Sequence, residues 1–341
     1  MIAPARGLEP GLADNLRPLL TQDYARYEVL FVFDASDDPA IKVVEQLTTS
    51  AQIIIAGPAT ESGQKVHNLR VATTQVDPAS EVLVFVDSDA RPDVNWLKQL
   101  VAPLADETLG ASSGYRWFVP ERGGLASRLR SVWNASIASA LGADVTKNFC
   151  WGGSTAIRRA TFEQLGVNER WRGTVSDDFT ITSVLKDANL PIHFTPNCLV
   201  PSVGDCDFKE LLEFTTRQIK ITRVYASHLW LPLLLGSALF TIAFFGGLVL
   251  ISIHPHLSVF LLLLLIFGLG AAKSFIRFRT VSRILATSPT DLVAHVLLWP
   301  IASLLYLYNA IVAGFSQRIT WRGITYELKS PREAVIISRD S

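Results

Sequence analysis

The sequence predicts an α/β domain on a mostly parallel sheet with crossover helices, followed by C-terminal transmembrane helices. Three observations carry this. Short apolar runs rich in Val, Ile and Phe alternate with stretches of helical spacing between residues 28 and 86. Acidic clusters follow the first and third of these runs, and in parallel sheets ligands collect beyond the carboxyl ends of the strands. From Leu229 onward, long uncharged stretches replace an ordinary globular composition.

In chain order, "MIAP" (1–4) reads as the end of a strand, and a first helix is expected from about Gly11 in "LADNLRPLL". "EVLFVF" (28–33), "AQIIIA" (51–56) and "EVLVFV" (81–86) read as strands joined by helices over roughly 39–48 and 65–76, the pattern of parallel crossover units. "LGASSGY" (109–115) adds another strand. No G-x-G-x-x-G or P-loop follows any strand, so a nucleotide would be held by carboxylates and a metal rather than by a glycine-rich cradle. The pair Asp87 and Asp89 in "DSD" fits that reading: two like charges leaving a buried strand are relieved by a shared divalent cation. Turn chemistry, with Pro92 stopping the strand, is the plainer alternative.

The 341 residues carry zero formal net charge, which gives no reason to expect a nucleic-acid partner. A hydrophobic fraction of 49% and a mean hydropathy of +0.29 are high for a purely soluble chain. Cys150, Cys198 and Cys206 are odd in number and widely spaced, as expected of free thiols in a reducing compartment. Two spans are expected at 229–253 and 257–276, turned by "HPH", and a third apolar segment at 292–315 carries His295, Pro300 and Asn309. "MIAPARGLEP" has no apolar core of a signal peptide. The expected division is therefore 1–227 catalytic domain, 228–316 membrane region and 317–341 cytoplasmic tail. The free thiols put residues 1–227 on the cytoplasmic side of the inner membrane, two crossings return the chain there, and the loop with Lys273, Arg277, Arg279 and Arg283 and no acids is as expected on that side. Pro300 is expected to break the third segment, which enters from the cytoplasmic side and, rather than crossing, lies at the interface or re-enters.

Seven motifs in fixed order carry a resemblance: "PARGLEPGLADNL", "QDYARYEVLFVFDASDDPA", "GQKVHNL" (63–69), "DSDARP", "SDDFTIT" (176–182), "RQIKITRVY" (217–225) and "ITWRGITYELKS" (319–330). In this order the chain resembles a membrane-bound glycosyltransferase of family 2 with the GT-A nucleotide-sugar-binding fold, and within it the ceramide glucosyltransferases. The resemblance implies transfer of a sugar, glucose from a UDP-sugar donor, to the hydroxyl of a lipid acceptor such as ceramide, with inversion. It implies Mg²⁺ or Mn²⁺ on Asp87 and Asp89, and Asp178 as catalytic base beside Asp177. It further implies nucleotide-sugar contacts from Asp34, Lys65, Asp87, Trp151, Arg217 and Lys220. One motif departs from the family's (Q/R)-x-x-R-W: it reads Arg217-Gln-Ile-Lys220-Ile221, which loses a planar fork and an aromatic wall. Members of the group also carry a membrane helix and a complete first strand ahead of "PARG", whereas this sequence begins inside that strand.

The residues make physical sense beside the resemblance. Asp177 is a like charge next to Asp178, which would raise a carboxylate toward the working range of a base. Ser176 or Asp177 could equally cap a helix starting near Phe179, and Asp38 could cap the Pro39 helix. Gly152 and Gly153 permit close approach of backbone to a ligand, and Trp151 is either a stacking wall or core. Arg217 and Lys220 share a helix face, while Arg223 serves either a diphosphate clamp or a collar at the membrane surface. Other sugars, N-acetylglucosamine among them, and other lipids, such as a hopanoid precursor or diacylglycerol, fit the same residues. A non-catalytic transport protein is the alternative of another class, but the three apolar segments carry no carboxylate.

Overall fold

The computed structural model describes residues 1–339, and the chain divides into two units: 1–117, 140–203 and 321–341 in one, 118–139 and 204–320 in the other. Strands are β1 (Ile2–Pro4), β2 (Leu30–Phe33), β3 (Gln52–Ile55), β4 (Val82–Val86), β5 (Ala111–Val119), β6 (Ser154–Arg158), β7 (Ile192–Val203), β8 (Arg318–Trp321), β9 (Ile324–Ser330) and β10 (Glu333–Arg339). Helices are α1 (Leu12–Leu16), α2 (Pro39–Leu47), α3 (Gln64–Thr73), α4 (Trp96–Val101), α5 (Leu125–Ala138), α6 (Arg159–Gln164), α7 (Val167–Arg170), α8 (Asp177–Asp187), α9 (Phe208–Tyr225), α10 (Ser227–Ile253), α11 (Leu257–Val281) and α12 (Pro289–Phe315).

The first unit is built on a sheet of order β3-β2-β1-β4-β6-β5-β7. β1 to β4 pair in parallel, with Ile2 opposite Leu30 and Phe85, and β6 runs antiparallel to both β4 and β5. β2 is buried along its whole length and β4 nearly so, which is why both read as continuous apolar runs rather than alternating ones. Helices α3 and α8 cover the sheet through Val66, Leu69, Ile181 and Leu185. At the centre, Trp171 meets Phe85 edge-on at 5.4 Å and Phe162 at 5.3 Å. The Trp171 indole N–H donates to the carbonyl of Asp177 at 3.0 Å, which pins the start of α8 to the core. Strands 28–33, 51–56 and 81–86 and the helix over 39–48 fall within two residues of expectation, and α3 ends three residues before the expected 76. The segment Ser154–Arg158, which has no strand in the sequence reading, is a strand inside the sheet whose Ser154, Thr155 and Ala156 are fully buried.

A smaller sheet of order β10-β9-β8 comes from the C-terminal segment, where a tail was expected. Its residues belong to the first unit from Trp321 on. The amide of Gln64 donates to the buried Tyr326 hydroxyl at 3.1 Å, and Arg339 donates to the Ala59 carbonyl.

The second unit holds α5 and α9 to α12. α10, α11 and α12 are 27, 25 and 27 residues long, and each is apolar enough to cross a membrane; at about 1.5 Å per residue even 25 residues exceed a ~30 Å hydrocarbon core. Leu239, Ile242 and Leu257 are about 70% exposed, a surface suited to lipid and not to water. The break expected at Pro300 does not occur, because α12 runs unbroken through it. His295 and Asn309 face protein: His295 lies 3.2 Å from the Ser131 hydroxyl, and Asn309 accepts from Thr216 at 2.9 Å and Thr215 at 3.3 Å. Trp133 stacks on Tyr306 at 4.8 Å and joins α5 to α12.

Candidate active site

The carboxyl end of β4 delivers Asp87, and the turn beyond it delivers Asp89. Asp87 Oδ1 lies 2.7 Å from Lys65 Nζ, and its Oδ2 accepts from Arg116 Nη2 at 3.0 Å. Arg116 also reaches Asp89 Oδ1 at 3.4 Å, and Lys65 reaches Asp177 Oδ1 at 3.2 Å. The result is a chain of alternating charge: Asp177, Lys65, Asp87, Arg116, Asp89. Lys65 stands in the first turn of α3, Arg116 near the end of β5, and Asp177 opens α8.

Burial works against the charges of Lys65, Asp87 and Asp177, and its balance with the neighbouring charges differs from one to the next. Burial disfavours the Lys65 ammonium, yet the carboxylates of Asp177 and Asp87 outweigh it and hold the group above its ordinary range. Burial likewise opposes ionised Asp87, but Lys65 and Arg116 keep it below the usual carboxylate range. Asp177 goes the other way: burial, with Asp178 and Asp87 adding to it, pushes its carboxyl up despite Lys65. The carboxyl of Asp177 is thus displaced upward, toward the working range of a base. Its Oδ2 is buried without a hydrogen-bond partner.

Ser176, not Asp177, is the N-cap of α8, accepting from the Phe179 amide. Asp177 turns inward and is 3% exposed, while Asp178 is half-buried and accepts from the Phe179 amide at 2.8 Å. Gly152 and Gly153 are required by close approach: a Cβ on Gly152 would lie 2.0 Å from Asp177 Oδ2, and one on Gly153 2.7 Å from Asp87 Oδ2. Trp151 is 9% exposed and lies under Arg116, whose guanidinium sits 4.9 Å from the ring centroid.

A second group lies over the ends of β1 and β2. Asp34 Oδ2 is 3.3 Å from Arg6 Nε, and its Oδ1 accepts from Asn68 at 3.0 Å. Asp38 caps α2 by accepting from the Ala40 amide at 2.8 Å, as expected, and also takes the Gly7 amide. Arg322, from the turn between β8 and β9, pairs with Glu9 and donates to the Arg6 carbonyl at 3.0 Å. Burial raises the Glu9 carboxyl, Arg322 opposes that, and Asp89 and Asp87 reinforce it, so all of these carboxylates share one electrostatic neighbourhood.

The first unit therefore brings together Asp34, Lys65, Asp87, Asp89, Trp151, Asp177 and Asp178. Sequence reasoning missed Arg116, Arg6, Glu9, Asn68 and Arg322. Arg116 left a signal, as the only charge in the otherwise buried strand 111–119. Arg217 and Lys220 belong to the second unit, on α9. There Lys220 donates to the Arg318 carbonyl at 2.7 Å, and Arg217 donates to the Thr320 carbonyl at 3.5 Å. Arg223 donates to the Ala313 carbonyl in the last turn of α12, where cations are favoured by the orphan carbonyls and the helix dipole.

The family model described as glycosyl transferase family 21 matches residues 1–334. Ceramide glucosyltransferase 3 of Caenorhabditis elegans is 29% identical over 103 residues, a match that covers 28% of this chain and 22% of that protein. Among solved structures, glucosyl-3-phosphoglycerate synthase from Mycobacterium tuberculosis in complex with Mn²⁺ and UDP-glucose is similar at a TM-score of 0.42 and 16% identity, covering 65% of this chain and 76% of that one. Another structure of the same synthase gives 0.43 and 14%, over 65% and 78% of the two chains. The resemblance to ceramide glucosyltransferases thus stands, under a family numbered 21. With all but the last seven residues inside the match, the chain belongs to glycosyl transferase family 21.

Proposed function

We propose that the chain is an inverting glycosyltransferase of the GT-A type that moves a sugar, glucose from UDP-glucose, onto the hydroxyl of a membrane lipid such as ceramide. The observation that carries the reading is the array of Asp87 and Asp89 with Lys65, Arg116 and Asp177 at the carboxyl end of the central parallel strands, in a chain of this family. Inversion in one step needs a proton acceptor on the acceptor side and stabilisation of a diphosphate leaving group. Asp178 is assigned the first task, because it is half-buried beside the array while Asp177 is committed to Lys65. Asp177 then fixes the Lys65 ammonium, which stands ready for negative charge growing on the leaving group. Asp34 and Asn68 are assigned to the nucleoside, and Arg116 orients Asp87 and Asp89.

The residues also fit a divalent cation. Asp87 and Asp89 offer hard oxygen ligands, and no third carboxylate, His or Cys completes a metal cage among the described residues. That set suits Mg²⁺ or Mn²⁺, which take phosphate oxygens and water for the rest. Gly153, with no room for a Cβ against Asp87, keeps the approach to those oxygens open. When bound, the cation supplies Lewis-acid neutralisation of the diphosphate. The helices α10 and α11, with their exposed apolar faces, support a membrane location and a lipid acceptor.

The test is release of nucleoside diphosphate by purified protein in detergent, over a panel of nucleotide sugars and lipid acceptors. UDP-glucose with ceramide should give the highest turnover. Turnover with another sugar or lipid would keep the reaction class and change the substrates. No turnover with any pair would overturn the reading.

A further inference from the structure

The order of the first sheet points to where a donor's diphosphate must lie. β1 stands between β2, which carries Asp34, and β4, which carries Asp87. A nucleotide reaching from Asp34 to Asp87 and Asp89 therefore passes over the segment that follows β1, residues 5 to 9. Two guanidiniums meet there. Arg6 pairs with Asp34 through Nε, and its Nη1 is buried without a hydrogen-bond partner. Arg322 donates through Nη1 to the Arg6 carbonyl and pairs through Nη2 with Glu9.

Arg322 occupies that place at a conformational cost. It has φ +49° and is followed by Gly323 at φ +73°, so both residues of the turn between β8 and β9 are left-handed. Such turns favour Asn, Asp or Gly at the first position, and the left-handed region disfavours a side chain as long as arginine. Residues held in sparsely populated backbone regions cluster where a function over-determines them. The cation expected from the helical motif is engaged elsewhere: Lys220 donates to the Arg318 carbonyl within its own unit.

We propose that Arg322, presented by the turn between β8 and β9 and steadied by Glu9, binds the diphosphate of the nucleotide-sugar donor together with Arg6. The inference rests on the donor reading above. It makes the C-terminal strands part of the donor site rather than a tail, and it gives planar, forked recognition of phosphate to a residue far in sequence from "DSD".

The experiment uses the full chain in detergent, with Mn²⁺, and measures affinity for UDP and for uridine by titration calorimetry. Arg322→Gly removes the cation and relieves the left-handed strain, so the fold should be kept or strengthened. Its affinity for UDP should fall about 10- to 100-fold, the scale of one hydrogen bond to a charged group, with uridine affinity and melting temperature held. Arg322→Asn, also suited to such turns, should behave alike and serves if the glycine variant does not fold. Wild-type affinity for UDP in a folded variant would overturn the proposal. Equal losses for UDP and uridine would also overturn it, since they mark a purely structural residue. If the wild-type chain binds neither UDP, GDP nor ADP, the donor reading fails and takes this proposal with it.

Discussion

Asp89 differs from its partner Asp87 in one respect that governs what each substitution should do. Asp87 has both oxygens on cations of the protein, whereas Asp89 is reached only through Oδ1 and its side chain stays 35% exposed. Asp89→Ala should therefore leave the fold intact and lower turnover by at least ~10²-fold, the scale of removing a charge-stabilising group. EDTA should abolish the wild-type activity and Mn²⁺ or Mg²⁺ restore it; full turnover in chelator would remove the metal from the account. Asp178→Asn should stop transfer while donor binding survives, and a normal Asp178→Asn beside a dead Asp177→Asn would reverse the two roles. The cysteines make an independent check. Burial pushes the Cys150 and Cys198 thiols up to about 12, so at pH 8 they stay protonated and unreactive. Native protein should release at most one equivalent in a thiol titration, from half-buried Cys206, and all three after denaturation. At this scale the sequence showed the carboxylates and the cap at Asp38, because local spacing determines both. It did not show that burial displaces Asp177 against the pull of Lys65, which is more than a hundred residues away in the chain.

Among the elements, β1 to β4 were legible because each buried parallel strand is a continuous apolar run bounded by turn residues. β6 was not. "WGGSTAIR" has the glycine and hydroxyl residues of a loop, and only pairing with β4 and β5 buries Ser154 and Thr155. α12 misled for a related reason: Pro300 looks like a break, but a long helix packed on α5 and α9 carries it without interruption. The C-terminal strands depend on contacts that sequence spacing cannot reveal, such as the Gln64 amide on the Tyr326 hydroxyl. Tyr326→Phe should therefore cost about 1–3 kcal/mol, the penalty for stranding a buried donor, and it does so at the N-terminal turn of α3 that carries Lys65. Chemical unfolding of the detergent-solubilised protein measures this; an unchanged midpoint would show that the hydroxyl is replaceable.

For the molecule as a whole, the discontinuous first unit constrains the membrane topology. The chain leaves that unit after residue 203 and is back in it from residue 321. A folded unit lies on one side of a bilayer, so the crossings in between must be even in number. Three helices are long enough, and α12 is the one expected not to complete a crossing. A third of its most apolar stretch is buried against protein, against 11% for α10 and α11. An even number of crossings puts both flanks of the apolar region on one side, and the expected arrangement has 292–315 not crossing and that side cytoplasmic. Ser341→Cys lies beyond the described residues, and its background needs only Cys206→Ser, because Cys150 and Cys198 are buried. An impermeant thiol reagent should fail to label it on intact cells; labelling from outside would show an odd number of crossings.

The same discontinuity sets a schedule for synthesis. Strands from both ends of the chain share the first unit, and the residues that bring Arg322 to Glu9 and Tyr326 to Gln64 are made after all three apolar helices. While a ribosome is still translating α12, the small sheet of β8 to β10 has not yet been made. The side chains of Arg322 and Tyr326 therefore join the first unit only after the whole apolar region has been made.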